Sequence, residues 1–330
     1  MEHRTLGRTG REVSVVGLGT WQLGADWGDV SEADAMAVLE ASAEAGVTFY
    51  DTADVYGDGR SEQLVGRFVA AHPDAGFTVA TKMGRRMDQV PENYVEQNFR
   101  QWLDRSRRNL GVDTIDLVQL HCPPSEVIDD GATYDVLDRL VDEGVVAAYG
   151  VSVETAAQAL SAIARPNVAS VQIILNAFRM KPLDEVLPAA ADAGVGIIAR
   201  VPLASGLLSG KYDLDTTFAD DDHRTYNRDG SAFDVGETFS GVDYETGVSA
   251  AQEFSSLVSD SGLDVTPAQA AIAWIVQQPG VSTVIPGARN VDQARSNAAA
   301  GLVGELPPAF LEGVADLYDR RIREQVHARW

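Results

Sequence analysis

The sequence predicts an α/β protein, a (β/α)8 TIM barrel formed by a single domain over residues 1–330, and three observations support this fold. Eight short apolar runs rich in β-branched residues alternate with longer helical patterns almost to the end of the chain. No linker of different composition divides these units. Hydrophobic residues make up 45% of the chain, enough for a large buried core. Eight β-then-α units favour a closed parallel barrel over a doubly wound open sheet.

The individual elements follow from the same patterns. A Gly-Arg-Thr-Gly turn within residues 5–14 indicates a small hairpin before the first strand. Several predicted helices end at a glycine, which easily adopts the left-handed conformation after a helix, and Thr266 followed by Pro267 is typical of a helix start. The barrel strands are predicted at residues 15–19, 47–51, 77–82, 115–121, 145–152, 168–175, 195–201 and 281–286, and helices at residues 32–45, 92–110, 132–143, 155–163, 183–193 and 267–278.

Residues 211–247, here called the insert, interrupt this alternation. They are rich in Asp, Gly, Ser and Thr, with aromatic residues scattered among them. Long loops in compact domains are usually functional lids or disordered segments. Because the insert follows the seventh strand, on the face where barrel enzymes carry their chemistry, we favour a lid over a passive insertion.

The composition excludes several classes of partner and compartment. A net charge of -23 would repel nucleic acid and anionic membranes, which both require a cationic surface. Only Lys82, Lys181 and Lys211 are lysines among 26 basic residues, and such an acidic, lysine-poor chain leads to the hypothesis of a halophilic source. Cys122 is the only cysteine, so no intrachain disulfide can form. No apolar run approaches the length of a membrane span, and we expect a cytoplasmic protein.

Four titratable side chains fall at or just after the ends of successive predicted strands. Asp51 ends the second strand, Tyr56 follows it, Lys82 ends the third and His121 ends the fourth. A tyrosine beside a lysine can act as a general acid, because the ammonium favours the phenolate and lowers the tyrosine pKa. An aspartate can orient that lysine, and a histidine can align a carbonyl oxygen.

Each of these residues alone has a structural explanation. Asp51 could cap the next segment, Tyr56 could anchor a loop, and His121 could pack at a strand end. Lys82 is harder to explain in this way, since a lysine that ends an apolar strand must be paired. The coincidence of all four at one rim therefore favours a catalytic site.

Ordered motifs over nearly the whole chain resemble those of the aldo-keto reductases. They are GLGTWQLG at 17–24, FYDTADVYG at 49–57, EQLVGR at 62–67, TKMG at 81–84, GVDTIDLVQLH at 111–121, YGVS at 149–152, VPLASGLLSGKY at 201–212 and VIPGARNVDQARSN at 284–297. The chain resembles the bacterial or archaeal branch that includes potassium-channel β-subunit-like and RVPL-type reductases. The resemblance implies that Asp51, Tyr56, Lys82 and His121 are the catalytic tetrad, with Tyr56 as acid and base.

The resemblance also implies an NADP(H) cofactor. Arg289, before a predicted helix start, can bind a 2'-phosphate with its fork of donors, which favours NADP over NAD. Arg200 stands where many relatives carry an aromatic residue against the nicotinamide, and Ser296 where a glutamate often binds the ribose. The implied cofactor contacts are Thr20, Trp21, Asp51, Ser152, Gln172, Asn176, Arg200, Val201, Pro202, Leu203, Ala204, Ser205, Gly206, Leu208, Lys211, Gly287, Arg289, Gln293 and Asn297.

The implied activity is reversible reduction of a small aldehyde or ketone to an alcohol. Two alternatives stay open, a nucleotide-sensing regulatory subunit on the same scaffold and a lyase with a Schiff base on Lys82. The remaining histidines lack the spacing of metal ligands, so we predict no metal. The sequence leaves the identity of the carbonyl and the oligomeric state open. The pocket is expected to be shaped by Trp21, Trp27, Tyr56, Met83, Arg85, residues 122–130 and the insert.

Overall fold

The computed structural model describes residues 1–24 and 30–330, so Trp27 lies outside the described residues. The predicted (β/α)8 barrel is confirmed. Two strands, β1 (His3–Thr5) and β2 (Glu12–Ser14), form the antiparallel hairpin expected before the barrel. The barrel strands are β3 (Leu18–Gly19), β4 (Phe49–Asp51), β5 (Thr78–Met83), β6 (Leu117–His121), β7 (Tyr149–Ser152), β8 (Ser170–Ile174), β9 (Gly196–Arg200) and β10 (Val281–Val284).

The barrel strands pair in sequence order, and every pair is parallel. The first and last strands close the barrel through the backbone. The N–H of Gly17 donates to the Val284 carbonyl over 2.8 Å, and that of Gly19 to the Pro286 carbonyl over 3.0 Å. Most strands are shorter than predicted, because strands in a barrel are tilted and staggered and pair over only part of the apolar runs.

The helices lie between the strands in the order expected of a parallel barrel. Gly111 and Gly194 each follow a helix in the left-handed conformation, and the Thr266 side chain caps the helix that begins at Pro267, as predicted. Gln269 completes a capping box there. In the described ranges, the helices are α1 (Glu32–Glu44), α2 (Arg60–Ala71), α3 (Glu96–Leu110), α4 (Ser125–Asp129), α5 (Gly131–Asp142), α6 (Ala156–Ile163), α7 (Val186–Ala193), α8 (His223–Tyr226), α9 (Tyr244–Asp260), α10 (Pro267–Val276), α11 (Val291–Ala299), α12 (Pro308–Leu317) and α13 (Arg323–Val326). None of them combines the length and apolar character that crossing a bilayer requires.

The N-terminal hairpin covers one end of the barrel. Leu6 and Val13, both fully buried, pack in one cluster with inward-facing side chains of the barrel, including Phe49 and Ile198. Arg4 donates to the carbonyl oxygens that flank the α10–β10 connection, each over 2.8 Å. The opposite end, at the carboxyl termini of the strands, is the end at which barrels of this kind carry their functional residues.

The insert lies over that opposite end. It contains α8 and two short 3-10 turns, and it is shorter than predicted because α9 starts at Tyr244, capped by the Asp243 side chain. The Ser205 hydroxyl, just after β9, accepts from the backbone N–H of Phe239 over 3.0 Å. The Asn176 amide donates to the Ser240 hydroxyl over 2.8 Å. The insert is thereby attached to the loops that follow β8 and β9.

Candidate active site

Adjacent barrel strands bring a buried ion pair to the mouth of the barrel. Asp51 ends β4, and Lys82 lies next to the last residue of β5. The Lys82 ammonium donates to the Asp51 carboxylate and, over 2.9 Å, to the Thr52 carbonyl oxygen. Although burial disfavours an ammonium, Asp51 and Tyr56 raise the pKa of Lys82. Lys82 is therefore charged at neutral pH and paired, as expected for a lysine at the end of an apolar strand.

Tyr56 places its hydroxyl 3.3 Å from the Lys82 ammonium. It begins a 3-10 turn in which Gly57 has a φ of 58°, and a Cβ on Gly57 would lie 2.0 Å from the Gly24 carbonyl oxygen. Only glycine fits this close approach without moving the backbone. The turn that presents Tyr56 to the barrel mouth thus depends on the residue that follows it.

The pKa of Tyr56 departs from the sequence-based expectation. Lys82 lowers this pKa, as predicted, but burial raises it by more, and the net shift is upward. The prediction of a lowered value was wrong because the sequence does not reveal how completely the phenol is removed from water. Tyr56 is therefore protonated at neutral pH, which suits a proton donor.

Two glutamines fix the other side of Asp51. Gln119 and Gln172 each donate an amide hydrogen to the Asp51 carboxylate, over 3.1 and 2.8 Å, and Gln172 also donates to the Gln119 carbonyl. Both glutamines are buried inside the barrel. Gln119 was missed in the sequence, although it precedes His121 by two residues and so shares its face of the strand.

His121 ends β6 with its ring edge-on to Tyr56, the ring centroids 6.0 Å apart and the planes at 83°. Burial, with the charges of Arg85, Lys82 and Arg200, holds the pKa of His121 well below its usual range. Its Nδ1 has no hydrogen-bond partner among the described residues. A neutral imidazole beside the tyrosine hydroxyl can hydrogen-bond an uncharged carbonyl oxygen.

Four charged side chains form a second, mostly buried group, here called the four-charge cluster: Arg85, Glu154, Arg200 and Glu237. Arg200 contacts Glu154 over 2.8 Å, and Arg85 contacts Glu237 over 2.8 Å. Burial raises the pKa of Glu154, whereas the two guanidiniums outweigh burial and lower the pKa of Glu237. Cys122 lies near both carboxylates, and the three ligand atoms fall within 4.8 Å of one another. The two guanidiniums already neutralise these carboxylates, which disfavours a metal ion there.

A cavity of about 620 Å³ extends from the catalytic residues to the start of α11. Tyr56 and His121 line one end, and Arg289 and Asn297 line the other. The Asn290 side chain caps α11 by accepting from the Gln293 backbone. From the insert, His223, Arg224 and Glu237 also contribute to the wall. The cavity thus joins the catalytic residues to a polar subsite at the start of α11.

Comparison with known proteins assigns this barrel to a family. The family model described as Aldo/keto reductase family matches residues 15–319. The aldo-keto reductase YhdN of Bacillus subtilis (strain 168) is 30% identical over 299 residues, which cover 89% of this chain and 86% of that relative. The chain belongs to the aldo/keto reductase family. This confirms the resemblance found in the motifs and identifies a member of an oxidoreductase family.

Solved structures of other aldo/keto reductases share the architecture. The glycerol dehydrogenase AKR11B4 from Gluconobacter oxydans is 30% identical, with a TM-score of 0.75 over 94% of this chain and 93% of that one. An aldo/keto reductase from Klebsiella pneumoniae, determined in complex with NADP and acetate, is 22% identical, with a TM-score of 0.70 over 96% of this chain and 95% of that one. The second likeness concerns the fold alone.

Most residues that the resemblance implied for the cofactor of an aldo/keto reductase line this cavity. Three do not. Ala204 and Leu208 are fully buried beneath it. Asn176 donates to the Val201 carbonyl over 2.8 Å and to Ser240, so it supports the loop after β9. Those in the lining are Thr20, Trp21, Asp51, Ser152, Gln172, Arg200, Val201, Pro202, Leu203, Ser205, Gly206, Lys211, Gly287, Arg289, Gln293 and Asn297.

The sequence did not single out Glu154 or Glu237 as site residues of this aldo/keto reductase. Glu154 lies in the loop before α6, and Glu237 lies in the insert, so only the folded chain brings them beside Arg200. Arg200 could have indicated that a carboxylate lies nearby, since a buried arginine requires a carboxylate partner. The sequence did not show which of 49 acidic residues would supply it.

Proposed function

We propose that this aldo/keto reductase is an NADP(H)-dependent enzyme that reversibly reduces a small aldehyde or ketone to an alcohol. One observation carries the proposal. The Tyr56 hydroxyl lies 3.3 Å from an ammonium that is itself paired with a buried carboxylate, at the end of a cavity that extends to the start of α11. A protonated phenol next to a fixed cation can give its proton to an oxygen that gains negative charge.

The residues present fit the dinucleotide. Ser152 and Gln172 offer polar groups beside the catalytic end of the cavity. Ser205 and Gly206, with left-handed φ values of 56° and 99°, line the cavity between its two ends. At the far end, the first turn of α11 and Arg289 suit the adenosine phosphate. We therefore assign NADP(H) rather than NAD(H).

The reaction balances through the residues of the site. NADPH held in the cavity would supply the hydride, that is two electrons with one proton, that the carbonyl carbon receives. Tyr56 gives its hydroxyl proton to the carbonyl oxygen, and the Lys82 ammonium stabilises the phenolate that remains. Neutral His121 aligns the carbonyl oxygen toward Tyr56. After reduction the Tyr56 phenolate takes a proton from solvent, which restores the phenol for the next turnover. In the oxidative direction the phenolate takes the proton of the alcohol instead.

We propose that the insert is the lid of this site. Its backbone is hydrogen-bonded to Ser205, and Glu237 and His223 belong to the cavity wall. Asp222 of the insert approaches Arg289 to 3.9 Å, so the insert reaches the adenosine end as well. A segment with these contacts can exclude water from the reacting atoms once both ligands are in place.

The test compares Tyr56→Phe with Tyr134→Phe. Tyr134 lies on α5, remote from the catalytic residues, and serves as the matched control. We expect Tyr56→Phe to lower kcat/KM for small aldehydes by about a thousandfold while NADPH still binds, since general acid catalysis is worth about 10²–10⁴. Tyr134→Phe should retain the parental rate. Equal rates for the parent and Tyr56→Phe, in absorbance assays of NADPH consumption, would refute the mechanism.

The same assay separates the alternatives. Tight NADPH binding without turnover of any carbonyl in the panel would identify a nucleotide-sensing subunit. Trapping of a carbonyl substrate on Lys82 by borohydride would identify a Schiff-base lyase. The hydrogen bonds of Lys82 to Asp51 and Thr52 support an ammonium rather than a nucleophilic amine, and so support the reductase.

The composition supports three further proposals: one domain over residues 1–330, a cytoplasmic location and adaptation to high salt. Mutual repulsion among 49 acidic side chains is screened by salt. Thermal unfolding should therefore occur at lower temperature in millimolar than in molar KCl, and an unchanged midpoint would contradict the adaptation.

A further inference from the structure

The four-charge cluster joins three connections of the barrel, because Arg200 and Glu237 both belong to the connection between β9 and α9. Arg85 follows β5, Glu154 precedes α6, Arg200 ends β9, and Glu237 belongs to the insert. Each guanidinium approaches both carboxylates. Besides the two contacts of 2.8 Å, Arg85 lies 3.4 Å from Glu154, and Arg200 lies 3.8 Å from Glu237. The side chains of Glu154, Arg200 and Glu237 are 13%, 10% and 9% exposed, so solvent screens these charges weakly.

Two members of the cluster reach the catalytic end of the cavity. Arg200 and Glu237 line it together with Ser152, Gln172 and Tyr56. The field of the cluster extends to the reacting groups, because Arg85 and Arg200 contribute to the lowered pKa of His121. A change in the net charge of the cluster would therefore act on whatever occupies this end of the cavity.

The position of Glu237 is fixed by its surroundings. Its backbone carbonyl accepts from the Ser205 hydroxyl over 3.1 Å. Asp234, three residues earlier, accepts from the Trp330 indole over 3.0 Å. A Cβ on Gly236 would lie 2.3 Å from the Arg179 guanidinium, so a side chain at that position would displace Arg179. The backbone that carries the Glu237 carboxylate is thus fixed both at Glu237 and at the residues before it.

A nicotinamide ring differs in charge between its two redox states. The oxidised ring carries a positive charge, and the reduced ring is neutral. A nearby cation favours the reduced form, and a nearby anion favours the oxidised form. Arg200 and Glu237 have opposite charges, and both line the end of the cavity assigned to the nicotinamide. The balance between these charges therefore affects how tightly the site binds each redox state of the ring.

We propose that the four-charge cluster sets the relative affinity of the site for NADP⁺ and NADPH, with Glu237 of the insert as the residue that balances the two guanidiniums. The inference rests on the proposed function, since it requires NADP(H) in the cavity. Glu237 and Arg200 act here as positioning and charge-balancing residues; neither takes part in the transfer of the hydride or the proton. The insert thereby contributes to the redox chemistry as well as to closure.

The experiment measures dissociation constants of the full chain for NADP⁺ and for NADPH separately, by quenching of tryptophan fluorescence. In Glu237→Gln, two guanidiniums face one carboxylate, and we expect the ratio Kd(NADP⁺)/Kd(NADPH) to rise about tenfold. This ratio corresponds to a shift of the bound couple of about 30 mV to more positive potential. Arg200→Gln removes a cation, and the ratio should fall.

The control is Glu253→Gln, which removes a carboxylate from α9 where it pairs with Arg320 and Arg321. Its ratio should match that of the parent. A Glu237→Gln protein that binds both nucleotides more weakly by the same factor would overturn the inference, because loosening of the insert alone would have this effect. If Glu237→Gln does not fold, an unchanged ratio in Arg200→Gln overturns it. A parental protein that binds neither nucleotide would refute the proposed function instead.

Discussion

Replacement of Asp54 by asparagine tests the free-energy cost of a buried carboxyl group within the loop that carries Tyr56. Asp54 is fully buried, and neither carboxylate oxygen meets hydrogen-bond geometry with a described group. Burial and the charge of Glu62 raise its pKa from 3.8 to about 7, against smaller opposing effects of Arg86, Arg105 and the Val55 backbone. The parent protein must therefore either protonate this group or bury its charge.

The size and sign of the effect follow from this shift. Between pH 3.8 and about 7 the native state binds more protons at Asp54 than the unfolded state, so the free energy of unfolding falls as pH rises through this window. A shift of roughly three units costs at most about 4 kcal/mol above the window, at about 1.4 kcal/mol per unit. The amide that replaces the carboxyl group in Asp54→Asn does not titrate, so the variant would not show this loss.

The assay is urea unfolding of the parent and Asp54→Asn at several pH values. Between about pH 5.5 and pH 8, the stability of Asp54→Asn should rise relative to the parent by about 2 kcal/mol. Its absolute stability also includes the burial of an amide, which does not depend on pH. Asp74→Asn, at an exposed site between α2 and β5, is the control and should show no such trend. A pH-independent difference between Asp54→Asn and the parent would refute the reasoning.

Two further predictions concern the ion pair and the cofactor. Lys82→Met leaves the Asp51 carboxylate buried without its cation, so the free energy of unfolding in urea should fall by about 3–5 kcal/mol. Most of this loss should be recovered in the double variant with Asp51→Asn. An unchanged midpoint for Lys82→Met would contradict the pairing. Arg289→Ala should raise the Kd for NADPH by about ten- to hundredfold, the worth of a hydrogen bond to a charged group, with little change for NADH. Equal losses for both nucleotides would exclude Arg289 as the phosphate ligand.

Residues whose positions follow from strand periodicity could be predicted from the sequence. Asp51, Lys82 and His121 stand at the ends of neighbouring parallel strands, and the barrel rule alone places them at one rim. The same rule, applied to alternate residues of β6, would have identified Gln119. Local chemistry was equally informative at Thr266, whose side chain caps α10 as predicted.

Properties that depend on tertiary contact could not be predicted. Glu237 meets Arg85, which precedes it by 152 residues, along a path determined by the packing of the insert. The direction of the Tyr56 pKa shift depends on the balance between a nearby ammonium and complete burial, and the sequence indicates only the first. The start of α9 within the expected loop has a similar cause, since Asp243 was one of many acidic residues in a polar segment.

The hairpin that covers the amino-terminal end of the barrel has a consequence for protein engineering. Leu6 and Val13 belong to a small apolar cluster at the opposite end from Tyr56 and His121. Variant libraries confined to the hairpin residues Leu6 and Val13 can be selected for heat resistance, while turnover is optimised separately at the other rim. Stability and turnover can thus be optimised at two separate regions of the scaffold, which avoids the usual loss of activity that accompanies stabilising substitutions near an active site.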